Sequence, residues 1–443
     1  MASALLANPD GAPPGASLDA LRAAMPAEPL FAGREWLASP QPLRLERKFV
    51  KRLERLGHQL LKFQQAADLL YHQSVRGRQP EFIARMLDAG KPPGLLELAR
   101  AKPLHGQLPR VIRPDILVGD NGIAIAELDA VPGGIGLTAW LNQTYAALGH
   151  DPLGGADGML DGFASIMPGG GIHVSPEAAT YRPEMEWLAA RLNQRAGARR
   201  YSVRDTGHYV HREPHAYRFF ELFDLPNLEC ADPMLRQAAA GELDLTPPPK
   251  PWIEEKMWLA FLHLRPLAEF WRRELGSRYF HDLLAAVPRS LPVDPQPLPP
   301  HAVLPVVGAH SWSEVARFSQ RERELILKLS GFSERAWGSR GVVLGSDVPH
   351  DEWAAAVESA LDSFPHSPYL LQEFRHTAVV EHPYYERHSG ALRSMRGRVR
   401  LCPYYFVGDG RARLGGVLAT ICPADKKLIH GMSDAIICPC AAA

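Results

Sequence analysis

The sequence has 443 residues, more than one hydrophobic core usually organises, so its length predicts two or three domains. Its 49 basic and 49 acidic residues leave no net charge, which argues against duplex DNA or an anionic membrane as a partner. Five cysteines in this length do not make a disulfide framework, so a reducing cytoplasm is the simplest compartment. The sequence contains neither a run of about 18 uncharged apolar residues that would span a membrane nor a recognisable signal peptide.

The first quarter of the chain is predicted to be helical after a loose arm. Residues 1–40 are rich in Ala, Pro and Gly without a sustained period, which is typical of an arm. Within residues 41–110, apolar residues at helical spacing predict a long amphipathic helix from Leu43 to about Arg76. A second helical stretch is expected from about Pro80 to Ala101.

The remaining chain mixes strands and helices. Residues 111–150 contain short β-like runs followed by a predicted helix, "LTAWLNQTYAAL". Residues 151–300 alternate helices with the strand candidates "ASIM", "IHVS" and "YSV", which favours an α/β layer domain. Its last part, residues 288–300, is proline-rich and typical of a linker. Residues 301–443 are predicted to be α+β, with many β-like runs around one helix, "DEWAAAVESALDSF".

The segment "RPDILVGDNGIAIAELDAVPGGIG" has the pattern of a β-hairpin. Two strand-like runs flank the turn signal Asp120-Asn121-Gly122, and a three-residue loop of this kind is a common hairpin connection. This turn predicts that Gly119 lies opposite Ile123 and sets the register of every pair further along the two strands.

In that register Asp115 faces Glu127 and Arg113 faces Asp129. Side chains alternate along a strand, so all four point to one face of the hairpin. Carboxylates opposed across strands repel one another, and Arg113 compensates only one of them. Oxygen ligands of this kind suit Mg²⁺ with phosphate oxygens, which suggests a magnesium–nucleotide site. The alternative is an exposed polar face without a ligand.

The same residues carry a resemblance to a known family. The pattern R-x-D, then E-x-D twelve positions after the first Asp, then P-G, resembles the magnesium hairpin of ATP-grasp ligases. It is most similar to the circularly permuted branch related to glutathionylspermidine synthetase. The resemblance implies that Asp115, Glu127 and Asp129 are metal ligands and that Arg113 stabilises the acyl-phosphate step. Asp129 stands where the family usually has Asn, which keeps an oxygen ligand and adds a negative charge.

The order of later segments also resembles the permuted branch, in which the lysine-bearing lobe follows the hairpin. In "LILKLSGFSERAWGSRGVVLG", Lys328 ends a strand-like run before a glycine-bearing loop. A lysine on a strand and backbone amides of such a loop can both meet phosphate. The resemblance implies that Lys328 contacts the nucleotide phosphates and that Arg335 and Arg340 close on the γ-phosphate. A solvated lysine at a strand end is the alternative.

Two further segments complete the implied nucleotide site. "PYLLQEF" resembles the hinge strand between the lobes, which implies that Gln372, Glu373 and the backbone near Phe374 meet adenine and ribose. The closing strands resemble those of the family, with Arg400 approaching the phosphates.

The resemblance covers about residues 110–443 and implies a circularly permuted ATP-grasp fold with an α/β substrate-side domain and a helical N-terminal region. The implied activity is that of an ATP-dependent carboxylate–amine ligase that uses ATP and Mg²⁺ and forms an acyl phosphate. Its partners would be small molecules, with an amino acid or short peptide as the carboxylate donor. Glutathionylspermidine itself is not implied, since no amidase domain accompanies the ligase segments.

Other readings remain open. "GIGLTA", residues 134–139, matches the dinucleotide fingerprint before a helix, so an NAD(P)-binding oxidoreductase is an alternative. In the ligase interpretation the same helix start, near Thr138, would offer amides to an anionic substrate group. A non-catalytic protein on the ATP-grasp fold is a third class.

Two groups of possible metal ligands are weaker signals. His208, His211 and His215 lie close together in "HYVHREPH", but no nearby cysteine or acidic pair completes a transition-metal site. Cys438 and Cys440, in "CPC" near the C-terminus, are two thiols too few for a structural zinc site.

Overall fold

The computed structural model describes residues 5–7, 17–24, 35–120, 122–206, 213–228, 231–299, 301–336, 340–429 and 433–443. Within them the α-helices are α1 Leu18–Ala24, α2 Arg47–Val75, α3 Glu81–Asp88, α4 Pro93–Ala99, α5 Ile135–Ala147, α6 Gly158–Ile166, α7 Arg182–Ala196, α8 Ala231–Ala240, α9 Met257–Phe261, α10 Ala268–Ala286, α11 Trp312–Ala316 and α12 His350–Asp362. The strands are β1 Leu43–Leu45, β2 Val111–Val118, β3 Ile123–Asp129, β4 Gly170–Val174, β5 Tyr201–Asp205, β6 His215–Phe219, β7 Asp244–Thr246, β8 Ser290–Pro292, β9 Leu325–Leu329, β10 Val342–Leu344, β11 Tyr369–Glu373, β12 Val379–Tyr385, β13 Leu392–Gly408, β14 Arg411–Pro423 and β15 Ile436–Ala442. The protein has a mixed α/β fold with several sheets. Among these helices, none is both long and apolar enough to cross a bilayer.

The largest sheet joins distant parts of the chain. Its strand order is β1-β15-β14-β13-β2-β3, and β12 pairs with β13 outside this path. Strand β1 runs parallel to β15 at one edge, and the antiparallel hairpin β2–β3 forms the other edge. The predicted start of the long helix at Leu43 is wrong, because residues 43–45 form β1 and α2 begins at Arg47. Three residues are too few to show the period of a strand.

Helix α2 packs on this large sheet through a close contact with β13. A Cβ added at Gly57 would lie 2.4 Å from Cδ1 of Tyr405, so only glycine lets the helix backbone approach the ring this closely. The Tyr405 hydroxyl donates to the carbonyl of Leu53 at 2.6 Å. The N-terminal helical region is therefore joined tightly to the sheet that carries the hairpin.

The second sheet has the order β5-β4-β6-β7, and all its strands are parallel. This is the α/β layer that the alternation of elements predicts. The strand predicted at "ASIM" is wrong, because these residues belong largely to the end of α6. Helix α6 buries Met159, Leu160 and Phe163, and a short apolar run at its end cannot be told from a strand by periodicity alone.

The third sheet is antiparallel, with the order β10-β9-β11-β8, and has its own core with α11 and α12. The predicted linker is wrong for Ser290–Pro292, which forms the edge strand β8. An edge strand has one neighbour, so proline is tolerated there despite its missing N–H group. Leu291 and Val293 fill the core of this unit, which makes the segment part of the fold.

Candidate functional site

A cleft of about 710 Å³ receives side chains from all three sheets. The large sheet contributes β13 and the hairpin β2–β3, the parallel sheet contributes residues after β4 and β6, and the third sheet contributes β9 and the residue after β11. The predicted site residues on its wall are Arg113, Asp115, Glu127, Asp129, Lys328, Phe374 and Arg400. The fold thus brings together residues that are far apart in the chain.

The charged end of the hairpin has the predicted register, in which Arg113 pairs with Asp129 and Asp115 with Glu127. The predicted turn is wrong, because Val118 rather than Gly119 lies opposite Ile123. A β-bulge at Ala126 then inserts one residue into β3 and restores the predicted pairs. The one-residue shift in register at the turn and the one-residue bulge cancel.

Asp115 is buried and bound by two guanidinium groups. Its Oδ2 accepts from Nη1 of Arg400 at 2.8 Å, and its Oδ1 lies 3.1 Å from Nη2 of Arg113. The thiol of Cys402 donates to Oδ1 at 3.4 Å. Burial acts to raise the pKa of Asp115, but Arg113 and Arg400 hold the pKa below its usual value. Asp115 is therefore ionised at neutral pH.

Arg113 also binds the opposite carboxylate. Its Nη2 donates to Oδ2 of Asp129 at 2.8 Å, and its Nη1 donates to the carbonyl of Gly133 at 3.4 Å. Burial raises the pKa of Asp129 above its usual value, although Arg113 opposes this shift. A carboxylate whose charge is destabilised in this way gains from the approach of another cation.

Glu127 has a cation of its own, since its Oε1 lies 2.9 Å from Nζ of Lys256. In the sequence, Arg113 is the one basic residue of the hairpin that faces these carboxylates. The structure adds to this charge, because Lys256, Lys328 and Arg400 line the same cleft. Within the described residues no group of three or more His, Cys, Asp and Glu side chains is arranged to hold a metal ion. The metal-ligand roles therefore stay a prediction.

Lys328 lies on β9 and connects the third sheet to the hairpin. Its Nζ donates to the carbonyl of Ala126 in the bulge at 3.0 Å and to Oε1 of Gln372 at 2.7 Å. Burial lowers the pKa of Lys328 to about 8, while Glu127 acts in the opposite direction. The ammonium group is charged at pH 7, and these two contacts use two of its three donors.

We expect Lys328→Met to weaken binding of a non-hydrolysable ATP analogue by at least about tenfold, or about 1.4 kcal/mol, because a buried cation is lost. Isothermal titration would measure this, with Lys51→Met on the exposed side of α2 as the control.

Bound phosphate favours the charged form of Lys328, so the affinity of the wild type for the ATP analogue should fall as pH rises above about 8. The Lys328 variant should lack this fall. Equal affinities of variant and wild type would remove Lys328 from the phosphate site.

Gln372 lies on β11, between β9 and β8, and is buried. Its Oε1 accepts from Lys328, and its Nε2 donates to Oγ of Ser290 at 2.9 Å. The side chain therefore orients Lys328 in this structure. Its predicted contact with adenine remains a prediction.

Glu373 and Phe374, the next two predicted residues, differ in their position relative to the cleft. The Glu373 carboxylate lies 3.4 Å from Nη1 of Arg289 and 3.1 Å from Nη2 of Arg375, and it is not on the cleft wall described above. Phe374 does line the cleft. Phe374 is thus the better placed of the two to meet a bound base.

Arg340 lies at the rim of the cleft. Its Nη2 is 3.4 Å from Oε1 of Glu177, a residue of the cleft wall, and about half of the Arg340 side chain, 53%, is exposed. Residues 337–339, which precede it in the predicted phosphate loop, are outside the described part of the chain. Its predicted contact with the γ-phosphate stays a prediction.

The Glu184 carboxylate caps the start of α5 by accepting hydrogen bonds from its backbone amides. Oε1 of Glu184 accepts from the amide of Gly134 at 2.7 Å, and Oε2 accepts from the amide of Leu137 at 3.0 Å. A Cβ added at Gly136 would lie 2.2 Å from the Glu184 carbonyl oxygen, so this glycine serves the packing of α5 on α7. The prediction that these amides bind a substrate anion is therefore wrong. The same contact counts against the dinucleotide interpretation, since Glu184 occupies the place of a phosphate at the start of α5.

The histidine group is only partly described. Nδ1 of His215 lies 3.0 Å from Oδ2 of Asp244, which also accepts from Arg110 at 2.8 Å. His208 and His211 lie outside the described residues. His215 thus belongs to a polar contact at the start of β6 and β7.

The two cysteines of β15 lie in the core of the large sheet. Cys438 and Cys440 are both buried, and Sγ of Cys438 is 3.8 Å from Nε2 of His382. Burial raises the pKa of the Cys438 thiol to about 12, so this thiol is protonated at neutral pH.

The charged residues of the cleft that sequence reasoning missed include Lys256 and Glu221. Lys256 lies in "WIEEKMWLAF", where three charged residues interrupt an apolar run, and α9 begins only after them, at Met257. That interruption was a usable signal that the charged residues precede a helix. Glu221 comes just after β6, at the carboxyl end of a parallel strand, where ligand sites of α/β sheets commonly lie.

Comparison with known proteins shows the fold. The solved structure of a glutathione synthetase-like effector from Globodera pallida, in its apo form, matches with a TM-score of 0.54 at 10% sequence identity, over 96% of this chain and 96% of that chain. The structure of a putative gamma-glutamylcysteine synthetase from Methylobacillus flagellatus KT matches with a TM-score of 0.41 at 14% identity, over 86% of this chain and 85% of that chain. No protein-family model and no curated protein sequence matches the chain. The first of these structures gives the chain a glutathione synthetase-like fold.

Proposed function

We propose that this protein is an ATP-dependent ligase that joins a carboxylate to an amine through an acyl phosphate, on the circularly permuted ATP-grasp plan. One observation carries the proposal: the hairpin carboxylates share a cleft with cations from other segments, and Arg400 binds Asp115 across 285 residues of chain. The glutathione synthetase-like fold supports it. The hairpin also precedes Lys328 in the chain, as in the permuted branch that the sequence resembles.

The charges of the cleft suit nucleotide and metal together. The acidic residues of its wall are Glu35, Asp115, Glu127, Asp129, Glu177, Glu221 and Asp224, and the cations are Arg113, Lys256, Lys328, Arg400 and Lys427. ATP brings about four negative charges and two Mg²⁺ ions bring about four positive ones, so the two together add no net charge to the cleft. Mg²⁺ alone would compete with cations that already bind the carboxylates. Asp115, Glu127 and Asp129 would hold Mg²⁺, which supplies charge neutralisation at the phosphoryl oxygens.

The protein's own side chains would mainly bind and position the reactants. Lys328 and Arg400 would hold the phosphates of ATP, Phe374 would flank the base, and Arg340 would close the rim over the γ-phosphate. A substrate carboxylate would attack the γ-phosphorus, ADP would leave, and an amine would then displace phosphate from the acyl phosphate. Arg113 would stabilise the charge on the transferring phosphoryl group. No nucleophilic side chain is required for these steps.

We expect ATP-dependent hydroxamate formation when amino acids are offered singly as carboxylate donors with hydroxylamine as the trapping nucleophile. Release of ADP and formation of hydroxamate should depend on the same donor, because both report the acyl phosphate. Omitting the donor or Mg²⁺ is the control. Binding of NAD(P) in place of ATP would favour an oxidoreductase, and binding of neither nucleotide would favour a non-catalytic protein on this fold.

A further inference from the structure

The parallel sheet has a point at which its connections diverge. In the order β5-β4-β6-β7, β4 leads through α7 to β5 on one side, and β6 leads through α8 to β7 on the other. Such a divergence opens a crevice at the carboxyl ends of the two central strands, and ligands of α/β sheets bind in crevices of this kind. The crevice between β4 and β6 is therefore a candidate binding place on topology alone.

The residues at this crevice belong to the cleft described above. Ser175 and Glu177 follow β4, and Phe220, Glu221 and Phe223 follow β6, and all of them line the cleft. The part of the wall that the parallel sheet contributes is therefore acidic and aromatic. An acidic and aromatic wall suits a ligand that carries an ammonium group.

Glu221 differs from the other acids near it, because they already have partners. Glu254 binds Nη2 of Arg218 at 2.6 Å and the amide of Leu222 at 3.0 Å. Lys256, the cation whose charge acts on Glu221, is bound to Glu127. Within the described residues the Glu221 carboxylate makes neither a hydrogen bond nor a salt bridge.

The surroundings of Glu221 favour the uptake of a proton. Burial is the main cause that raises the pKa of Glu221 well above its usual value, and Glu254, Asp129 and Glu127 add to it while Lys256 opposes it. An entering ammonium group would lower that pKa again and be bound by the carboxylate. Once the ammonium group has transferred a proton to Glu221, the raised pKa of Glu221 favours retention of that proton on the carboxyl group.

We propose that Glu221 is a catalytic residue that binds the ammonium group of the acceptor amine and accepts the proton that this group loses before attack. This rests on the proposed ligase function. The nitrogen lone pair forms a C–N bond with the acyl carbon, and the C–O bond to phosphate breaks with its electron pair on the phosphate oxygen. One proton of the ammonium group goes to Glu221 and a second goes to the departing phosphate. The products are the amide, HPO₄²⁻ and protonated Glu221.

The test compares two nucleophiles in Glu221→Gln. Hydroxylamine is largely unprotonated at neutral pH and needs no protein base, whereas an ordinary amine must first lose a proton. The donor is the one that gives most hydroxamate in the wild type. The acceptor is the amine that the wild type joins to this donor fastest, chosen from a panel of amino acids and simple alkylamines. We expect Glu221→Gln to keep hydroxamate formation within about threefold and to lose amide formation by roughly 10²–10⁴-fold.

Further measurements separate this role from a structural one. The loss should shrink as pH rises towards the pKa of the amine, and Glu221→Asp should recover part of the amide formation. Glu242→Gln, an exposed glutamate beside β7, should change neither reaction. Equal losses with both nucleophiles, no loss with the amine, or a wild type that makes hydroxamate but joins no amine would each overturn the role of Glu221. A wild type that makes no hydroxamate with any donor would instead overturn the proposed ligase function.

Discussion

ATP turnover is expected to fall by roughly 10²–10³-fold when Glu127 is replaced by glutamine. Glutamine keeps the shape of the side chain and can still accept from Nζ of Lys256, which lies 2.9 Å from Glu127 Oε1. It lacks the negative charge that draws Mg²⁺ to its oxygen ligands. The Glu127 side chain is 38% exposed, so stability should change by no more than about 0.5 kcal/mol.

Steady-state ADP release over a range of Mg²⁺ concentrations would measure this effect, with thermal unfolding to compare stability. Glu352→Gln, in the exposed first turn of α12, is the matched control and should behave as wild type. Mg²⁺ titrated without nucleotide should bind neither protein, because Lys256 and Arg113 already hold the carboxylates. Normal turnover by Glu127→Gln would exclude Glu127 from the metal ligands.

Arg113→Lys is expected to retain binding of Mg-ATP and to slow ADP formation in a single turnover by roughly 10²–10³-fold. Nη2 of Arg113 lies 2.8 Å from Oδ2 of Asp129 and 3.1 Å from Oδ1 of Asp115. A guanidinium group can hold two oxygens at once and is always charged, whereas a lysine ammonium is a point charge. Lysine therefore keeps a cation in the hairpin but loses the geometry that a transferring phosphoryl group would require.

The contacts of Arg113 also allow a purely structural role, in which it holds the two strands of the hairpin together. Comparing ATP affinity with the rate of single-turnover ADP formation separates the two roles. Arg393→Lys, on an exposed part of β13, controls for the substitution itself. If the variant loses stability and affinity together while its bound fraction reacts at the wild-type rate, Arg113 is structural.

The sequence alone predicted the charged face of the hairpin because side-chain alternation along a strand is a local property. Alternation places Arg113 with Asp115 on one face of β2, and Glu127 with Asp129 on one face of β3. The turn was predicted wrongly and the bulge at Ala126 was not predicted, since both depend on how β2 and β3 fit the sheet beyond the hairpin. The correct register at the charged end came from two departures that cancel.

Hydrophobic periodicity likewise predicted the long helices and most long strands, because it reports which face of an element is buried. It failed for β1 and β8, whose three residues each are too short to show a period. It failed again at the end of α6, where an apolar run buried in a helix looks like a buried strand. These elements are strands or helices only because of the neighbours that the fold brings to them.

The tertiary structure decided which charged and polar groups bind each other. The sequence contained Arg400, Lys256 and Glu184, but nothing local indicates that the first binds Asp115, the second binds Glu127 and the third closes the start of α5. Ion pairs and helix caps of this kind join segments that are distant in the chain, and no repeat or spacing encodes their partners. The sequence by itself therefore determined the acidic hairpin and the order of the segments around it. The three sheets decided its electrostatics, because only their packing sets the distances over which charges act.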